Sequence, residues 1–401
     1  MKKRIKINEE SSVPLWGAVW AMSLCAMVLV ASEFMPVSLL TPIASELAIT
    51  EGHAGQSISI SGLFALVTSL FITSIIGHTD RRSVLLFFTA LMGVAGVMVA
   101  FAPNSNILMI GRAVLGICIG GFWSMSAATI MRLVPKEIVP KALAILNGGN
   151  ALATTVAAPL GSFLGGIIGW RGAFFCIVPI AVITFIWQYK SMPHLPARHV
   201  YGHRPKLSSV FKLLKQWKVT LGMLATMFFF MGQFALFTYL RPFLEIHTGV
   251  DVETLSLILL SMGVSGLIGT FVIGNILKTR LYSLLIIIPF LMIIIVISLL
   301  YFGDSLLAVF ILMSFWGLLG TSAPVAWWTW LSKTLPNDTE AGGGLMVAVA
   351  QLAITVGAAG GGLLFDIYGY EITFVFSAII LAVATLMASV TAVYTYKKEK
   401  A

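Results

Sequence analysis

Apolar runs, most of them about 20 residues or longer, follow one another along the chain with only short polar breaks between them. As a helix, about 20 apolar residues cross the ~30 Å hydrocarbon core of a bilayer. The pattern therefore predicts twelve membrane spans, with approximate limits 14–40, 54–77, 83–101, 106–131, 140–168, 171–189, 217–244, 253–276, 281–301, 305–332, 341–365 and 371–394. Lipid offers no partner to a bare peptide group, and the period-two alternation of outer-membrane strands is absent, so the spans are helices and the fold class is all-α. The first run follows Met1–Lys6, extends about 27 residues and lacks a small-residue cleavage site, which predicts a retained helix rather than a signal peptide.

Composition agrees: 58% of residues are hydrophobic and 10% charged, against ~25% charged in a soluble domain. No water-soluble domain is expected. Cys25, Cys118 and Cys176 lie within predicted spans at neither disulfide nor metal-ligand spacing and read as packing residues.

Charge sets the expected orientation. If the N-terminus is cytoplasmic, the inside segments hold 22 of the 25 Lys and Arg residues, the outside segments only Arg171 and Arg241, and Arg112 is left within a span. That asymmetry predicts both termini in the cytoplasm. The net charge of +9 then reflects bases at the headgroup boundary and gives no reason to expect a nucleic-acid partner.

The longest break, Lys190–Lys215, carries Pro193, Pro196, Pro205 and three histidines and falls after the sixth span. It predicts two six-helix bundles, residues 1–190 and 217–401, joined by a cytoplasmic linker over 191–216. Offset by 200 residues, Leu152–Phe174 and Leu352–Phe374 agree at ten of 23 positions, among them Gly161 with Gly361, Gly169 with Gly369 and Phe174 with Phe374. Both segments occupy the fifth span of their half, so the halves form a parallel pseudo-symmetric repeat about an axis along the membrane normal.

Gly77-His78-Thr79-Asp80-Arg81-Arg82 after the second span, Gly111-Arg112, Pro159-Leu160-Gly161 and Gly169-Trp170-Arg171 resemble the major facilitator transporters, in particular their twelve-helix drug:proton antiporter branch. Ser32–Pro42, Gly120–Ala127 and Phe237–Pro242 are most similar to the bacterial purine ribonucleoside exporters and their sugar-efflux relatives. The resemblance covers nearly the whole chain. It implies a carrier of the bacterial cytoplasmic membrane that works as a monomer, exchanging a small-molecule substrate for protons by alternating access. Asp80 and Arg81 would belong to a state-locking loop, and Pro159 with Gly161 to a bend sealing the cavity. Ser83 and Val84 depart from the superfamily pattern, where Gly and a basic residue are usual.

Of 16 acidic residues only Glu33 lies well inside a span, and Arg112 is the one base comparably deep. A carboxylate there costs several kcal/mol unless paired or protonated, and intramembrane acids are functional by default. Each residue sits about seven positions from the outer end of its helix, roughly 10 Å at 1.5 Å per residue, so the two can meet. A Glu33–Arg112 pair, direct or through water, is expected. It serves either proton coupling, with Glu33 as carrier, or static helix packing.

Asn147, Asn150, Gln233 and Gln351 are neutral polar groups at mid-depth, suited to a purine edge or ribose hydroxyls, or to interhelical hydrogen bonds. Trp123 and Trp316 are candidate stacking platforms, with core packing as the alternative. Trp327, Trp328 and Trp330 approach the cytoplasmic end and suit an interfacial belt. No phosphate-cradling loop with Lys, paired-carboxylate motif, or His and Cys at ligand spacing is present, so no cofactor or metal is expected. An ion gradient is the expected energy source, not ATP, and enzyme chemistry has no support. A receptor or pore would need no titratable carrier.

Overall fold

The computed structural model describes residues 14–77, 79–196, 212–336 and 339–400. Among the described residues there is no strand. In chain order the long helices are α1 (Trp16–Leu47), α2 (Glu51–Ile75), α3 (Arg81–Ala100), α4 (Ser105–Leu133), α5 (Val139–Phe175), α6 (Ile177–Ser191), α7 (Trp217–Phe237), α8 (Val252–Phe302), α9 (Leu306–Thr334) and α10 (Thr339–Lys400). Short helical turns over Leu240–Thr248 extend α7. Polar side chains just ahead of the apolar runs start several helices: Thr50, Asp80, Asn104 and Asp251 each accept a backbone N–H from the first turn of α2, α3, α4 and α8.

Among the described residues ten apolar helical stretches are long enough to cross a bilayer, but two of them, Val139–Ser191 and Gly342–Tyr396, run to 53 and 55 residues. At 1.5 Å per residue each is roughly 80 Å long, far more than one crossing of ~30 Å. Both bend at a glycine whose backbone other residues avoid, Gly169 (φ 72°, ψ 165°) and Gly369 (φ 80°, ψ −171°). Counting each as two crossings gives the twelve expected. The breaks anticipated after the fifth and eleventh spans are thus sharp turns at one non-helical glycine, with helix on either side. The bends fall at equivalent positions of the repeat, so the internal sequence match carries a shared backbone device.

Two hydrophobic cores result. One is built almost entirely from α1–α6, with Tyr239 and Phe365 reaching in from beyond, and the other from Leu213 onward, joined by Ala158. Of the expected linker, Met192–Pro196 packs on the first half, and 197–211 lies outside the described residues. A third, small cluster joins the halves: Val37 and Ile58 from one, Phe234, Ile354 and Ala358 from the other.

An even number of crossings puts both ends of the described chain on one face, here called the terminal face, and contacts between the halves gather toward the opposite one. There Thr50 Oγ1 and the Gly52 N–H donate to Asp366 at 2.6 and 2.8 Å, and Gly55 lies flat against Tyr239. Gly166 abuts Val252, and Gly263 abuts the Thr155 main chain. Toward the terminal face, a β-carbon added at Gly148, Gly274 or Gly344 would meet no atom within 4 Å. The seam between the halves is closed on the far face and loosens toward the terminal face.

Candidate functional site

The site begins with two prolines in α1, Pro36 and Pro42. A helical carbonyl accepts from the N–H four residues on, and proline has none. Pro36 therefore leaves the Ser32 carbonyl without a helical donor, buried between α1 and α4. Arg112 of α4 supplies one: Nη1 donates to Ser32 O at 2.7 Å, Nη2 to Glu33 O at 2.8 Å and to Ser61 Oγ at 3.0 Å, and Nε to Ser57 O at 3.0 Å. The guanidinium is fully buried and ties α4 to α1 and α2 through the main chain.

Among the described residues the ion pairs within 4.0 Å are Arg171–Glu46, His194–Asp80, Arg241–Glu245 and His247–Asp304. Glu33 and Arg112 are neighbours, as expected, but the arginine takes the backbone carbonyl of Glu33. The carboxylate instead accepts from Gln351 Nε2 of α10 at 3.2 Å. That bond crosses from one half to the other. Glu33 is 4% exposed and Gln351 8%. Around them, Gln351 Oε1 and the hydroxyls of Ser57 and Ser59 are buried without a partner. Toward the far face the Val37–Ile58–Phe234–Ile354–Ala358 cluster closes over the pair, and Phe34 stacks on Phe234 across the seam at 5.5 Å.

The other sequence candidates scatter. Asn147 is exposed and bonds back to Leu143 O on its own helix at 2.9 Å, and Asn150 is half-buried one turn on. The Gln233 amide nitrogen packs over Gly320, with Oε1 buried and unpartnered. Trp123 is half-buried, edge-on to Phe122 at 5.6 Å. Trp316 is 2% exposed inside the core of the second half. Of Trp327, Trp328 and Trp330, Trp328 is exposed, whereas Trp327 and Trp330 are core residues, Trp330 lying against Gly222 of α7.

Asp80 caps α3 by accepting the Arg82 N–H at 2.8 Å, and it also grips the start of the linker, accepting the Leu195 N–H at 3.0 Å and contacting His194 Nδ1 at 3.0 Å. Burial works to raise its pKa, but the Leu195 N–H, His194 and the Arg82 N–H outweigh it and hold the carboxyl below the usual range. Arg81 reaches Thr79 O at 3.5 Å. Pro159 is buried inside α5, whose one residue with non-helical φ and ψ is Gly169. Gly161 lets α5 approach Met35 and Ser38 of α1.

Sequence reasoning gave no role to Tyr239, Arg241 or Asp366, which line the closed far side. Tyr239 is fully buried, donates to Ala358 O at 2.8 Å and stacks on Phe365 at 5.2 Å. The Phe237–Pro242 string, singled out for its resemblance, was the available signal.

The Major Facilitator Superfamily profile matches residues 22–343. The chain belongs to this superfamily. It is 54% identical over 377 residues to a Pseudomonas aeruginosa protein named transcription regulatory protein OpdE, covering 94% of each chain. It is 43% identical over 356 residues to the purine ribonucleoside efflux pump NepI of Salmonella paratyphi B, covering 89% of each. Among solved structures, a bacterial homologue of the human lysosomal transporter Spinster, inward-facing and unoccupied, superposes with a TM-score of 0.77 at 13% identity, covering 95% of this chain and 97% of that one. That likeness bears on the fold alone. The protein is a multi-pass membrane transporter.

Proposed function

We propose that this transporter exports purine ribonucleosides of the inosine and guanosine type across the bacterial cytoplasmic membrane in exchange for protons. It works as a monomer with both termini in the cytoplasm, and Glu33 is the proton carrier. The observation that carries the reading is the Glu33–Gln351 hydrogen bond between the halves.

A carboxyl sealed from water, whose partner lies on the other moving body, makes the relative position of the halves depend on its protonation. Protonated, Glu33 supplies the donor that Gln351 Oε1 lacks; ionised, it accepts from Nε2. Arg112 stays in place through either state, because its donors are committed to carbonyls and a hydroxyl. Nearness to the purine ribonucleoside pump supports the substrate class, and the unpartnered amide and hydroxyl groups beside Glu33 suit a polar, uncharged ligand. The relative named for transcription regulation has no transport name, but a twelve-crossing body with a buried acid at its seam favours transport.

The test is proton-gradient-driven uptake of labelled inosine into inside-out vesicles, comparing wild type with Glu33→Gln and adding a lipophilic cation as competitor. Uphill uptake lost in the variant is the expected result. Proton-linked transport of the cation without inosine transport would replace the nucleoside with an amphiphilic drug, and sugar uptake would do the same for a sugar.

A further inference from the structure

The second proline of α1 repeats the device of the first, with one difference. Pro42 has no amide hydrogen, so the Ser38 carbonyl is left without its helical donor. Its donor is Arg241 Nη1, which belongs to the second half. Arg241 is 6% exposed and is held from behind by Glu245, whose Oε1 lies 2.8 Å from Nε and 2.7 Å from Nη2.

We propose that Arg241 is a positioning residue for transport, a latch that keeps the far side shut by occupying the carbonyl socket opened by Pro42. The socket lies beyond the Val37–Ile58–Phe234 seal and on the same side as the Asp366 bonds to Thr50 and Gly52. Every one of these contacts must part when the far side opens. A bond from a guanidinium to a main-chain carbonyl suits that duty. On opening, both groups pass to water and no carboxylate is stranded, because Glu245 travels with the arginine one helical turn away. The Pro36 socket is the internal contrast: Arg112 and Ser32 belong to the same half, and their bond persists through the cycle.

The latch requires neither nucleoside nor proton, so its failure and a failure of the substrate reading are separate results. The experiment uses the full-length protein with Cys25, Cys118 and Cys176 replaced, in sealed vesicles of known orientation. One reporter, Ile58→Cys, sits in the seal between the halves and is labelled by a membrane-impermeant maleimide from the far face. A second, Gly148→Cys, occupies open space on the terminal side and is labelled from that face. Pro42→Ala, which returns an N–H to Ser38, and the pair Arg241→Gln with Glu245→Gln should each speed Ile58→Cys labelling by about fivefold or more, the shift expected when one charge-assisted hydrogen bond is lost. Labelling at Gly148→Cys should slow in parallel, and Pro36→Ala should leave the Ile58→Cys rate unchanged. Unchanged labelling in both latch variants overturns the proposal. So does a rise at both reporters together, which would mean a loosened fold, or an equal effect of Pro36→Ala.

Discussion

Replacing Arg112 by methionine keeps an unbranched chain in the cavity and deletes all four hydrogen bonds of its guanidinium. The consequences for the four acceptors differ. Glu33 O and Ser57 O keep helical donors at Val37 and Ser61, and the Ser61 hydroxyl keeps its bond to Ile58 O at 2.9 Å. Each of those losses is worth about 0.5–1.5 kcal/mol net. Ser32 O has no replacement, because residue 36 is proline, and a buried acceptor left bare costs about 1–3 kcal/mol. The substitution is thus expected to destabilise by about 2.5–7.5 kcal/mol. The structure makes a sharper claim about a pair. In Arg112→Met with Pro36→Ala, the new N–H at position 36 reaches Ser32 O and should recover about 1–3 kcal/mol beyond the effect of Pro36→Ala alone. SDS-titrated unfolding of wild type, both single variants and the double variant in mixed micelles closes the cycle. Additivity to within about 0.5 kcal/mol would refute the reasoning, because it would mean that Ser32 O does not depend on the arginine.

Glu33→Gln should fold normally, since an amide still meets the Gln351 side chain, and should lose uphill exchange while keeping counterflow of unlabelled for labelled inosine in proteoliposomes. Gln351→Leu should leave Glu33 without its partner across the seam and slow proton-driven uptake more than counterflow. Gly169→Ala and Gly369→Ala force a β-carbon onto a backbone reserved for glycine and should each cost about 1–3 kcal/mol in the same SDS titration. Asp80, whose pKa is lowered in the folded state, contributes stability fully above the unfolded value of ~3.9 and loses it as pH falls through the folded value. The stability gap between wild type and Asp80→Asn should therefore persist at neutral pH and close in acid, below about pH 4, as followed by thermal unfolding in detergent.

Number of crossings, helical class and the repeat were legible because the bilayer imposes them residue by residue. A span must be long enough, apolar and hydrogen-bonded within itself, and a mid-span ionisable group stands out against that background. Glu33 and Arg112 were found in this way, and Gly169 and Gly369 were paired by the 200-residue offset. Partners were not legible. Glu33 was expected to meet the guanidinium and meets an amide 318 residues away, while Arg112 settles on main-chain carbonyls. Trp316, a reasonable stacking platform by depth, turns into the core, as do Trp327 and Trp330.

The physical reason is rotation. Depth along a helix follows from position in the sequence, at 1.5 Å per residue, but the direction in which a mid-span side chain points is decided by how neighbouring helices pack, and lipid and protein interior are equally apolar to the pattern. The hydropathy pattern, the 200-residue repeat and the positions of the charges were enough to point to twelve crossings in two similar halves, with one acid and one base well inside. Only the packed structure decided that proline-freed carbonyls of α1 would receive Arg112 from its own half and Arg241 from the other, and that Glu33 would lean across the seam.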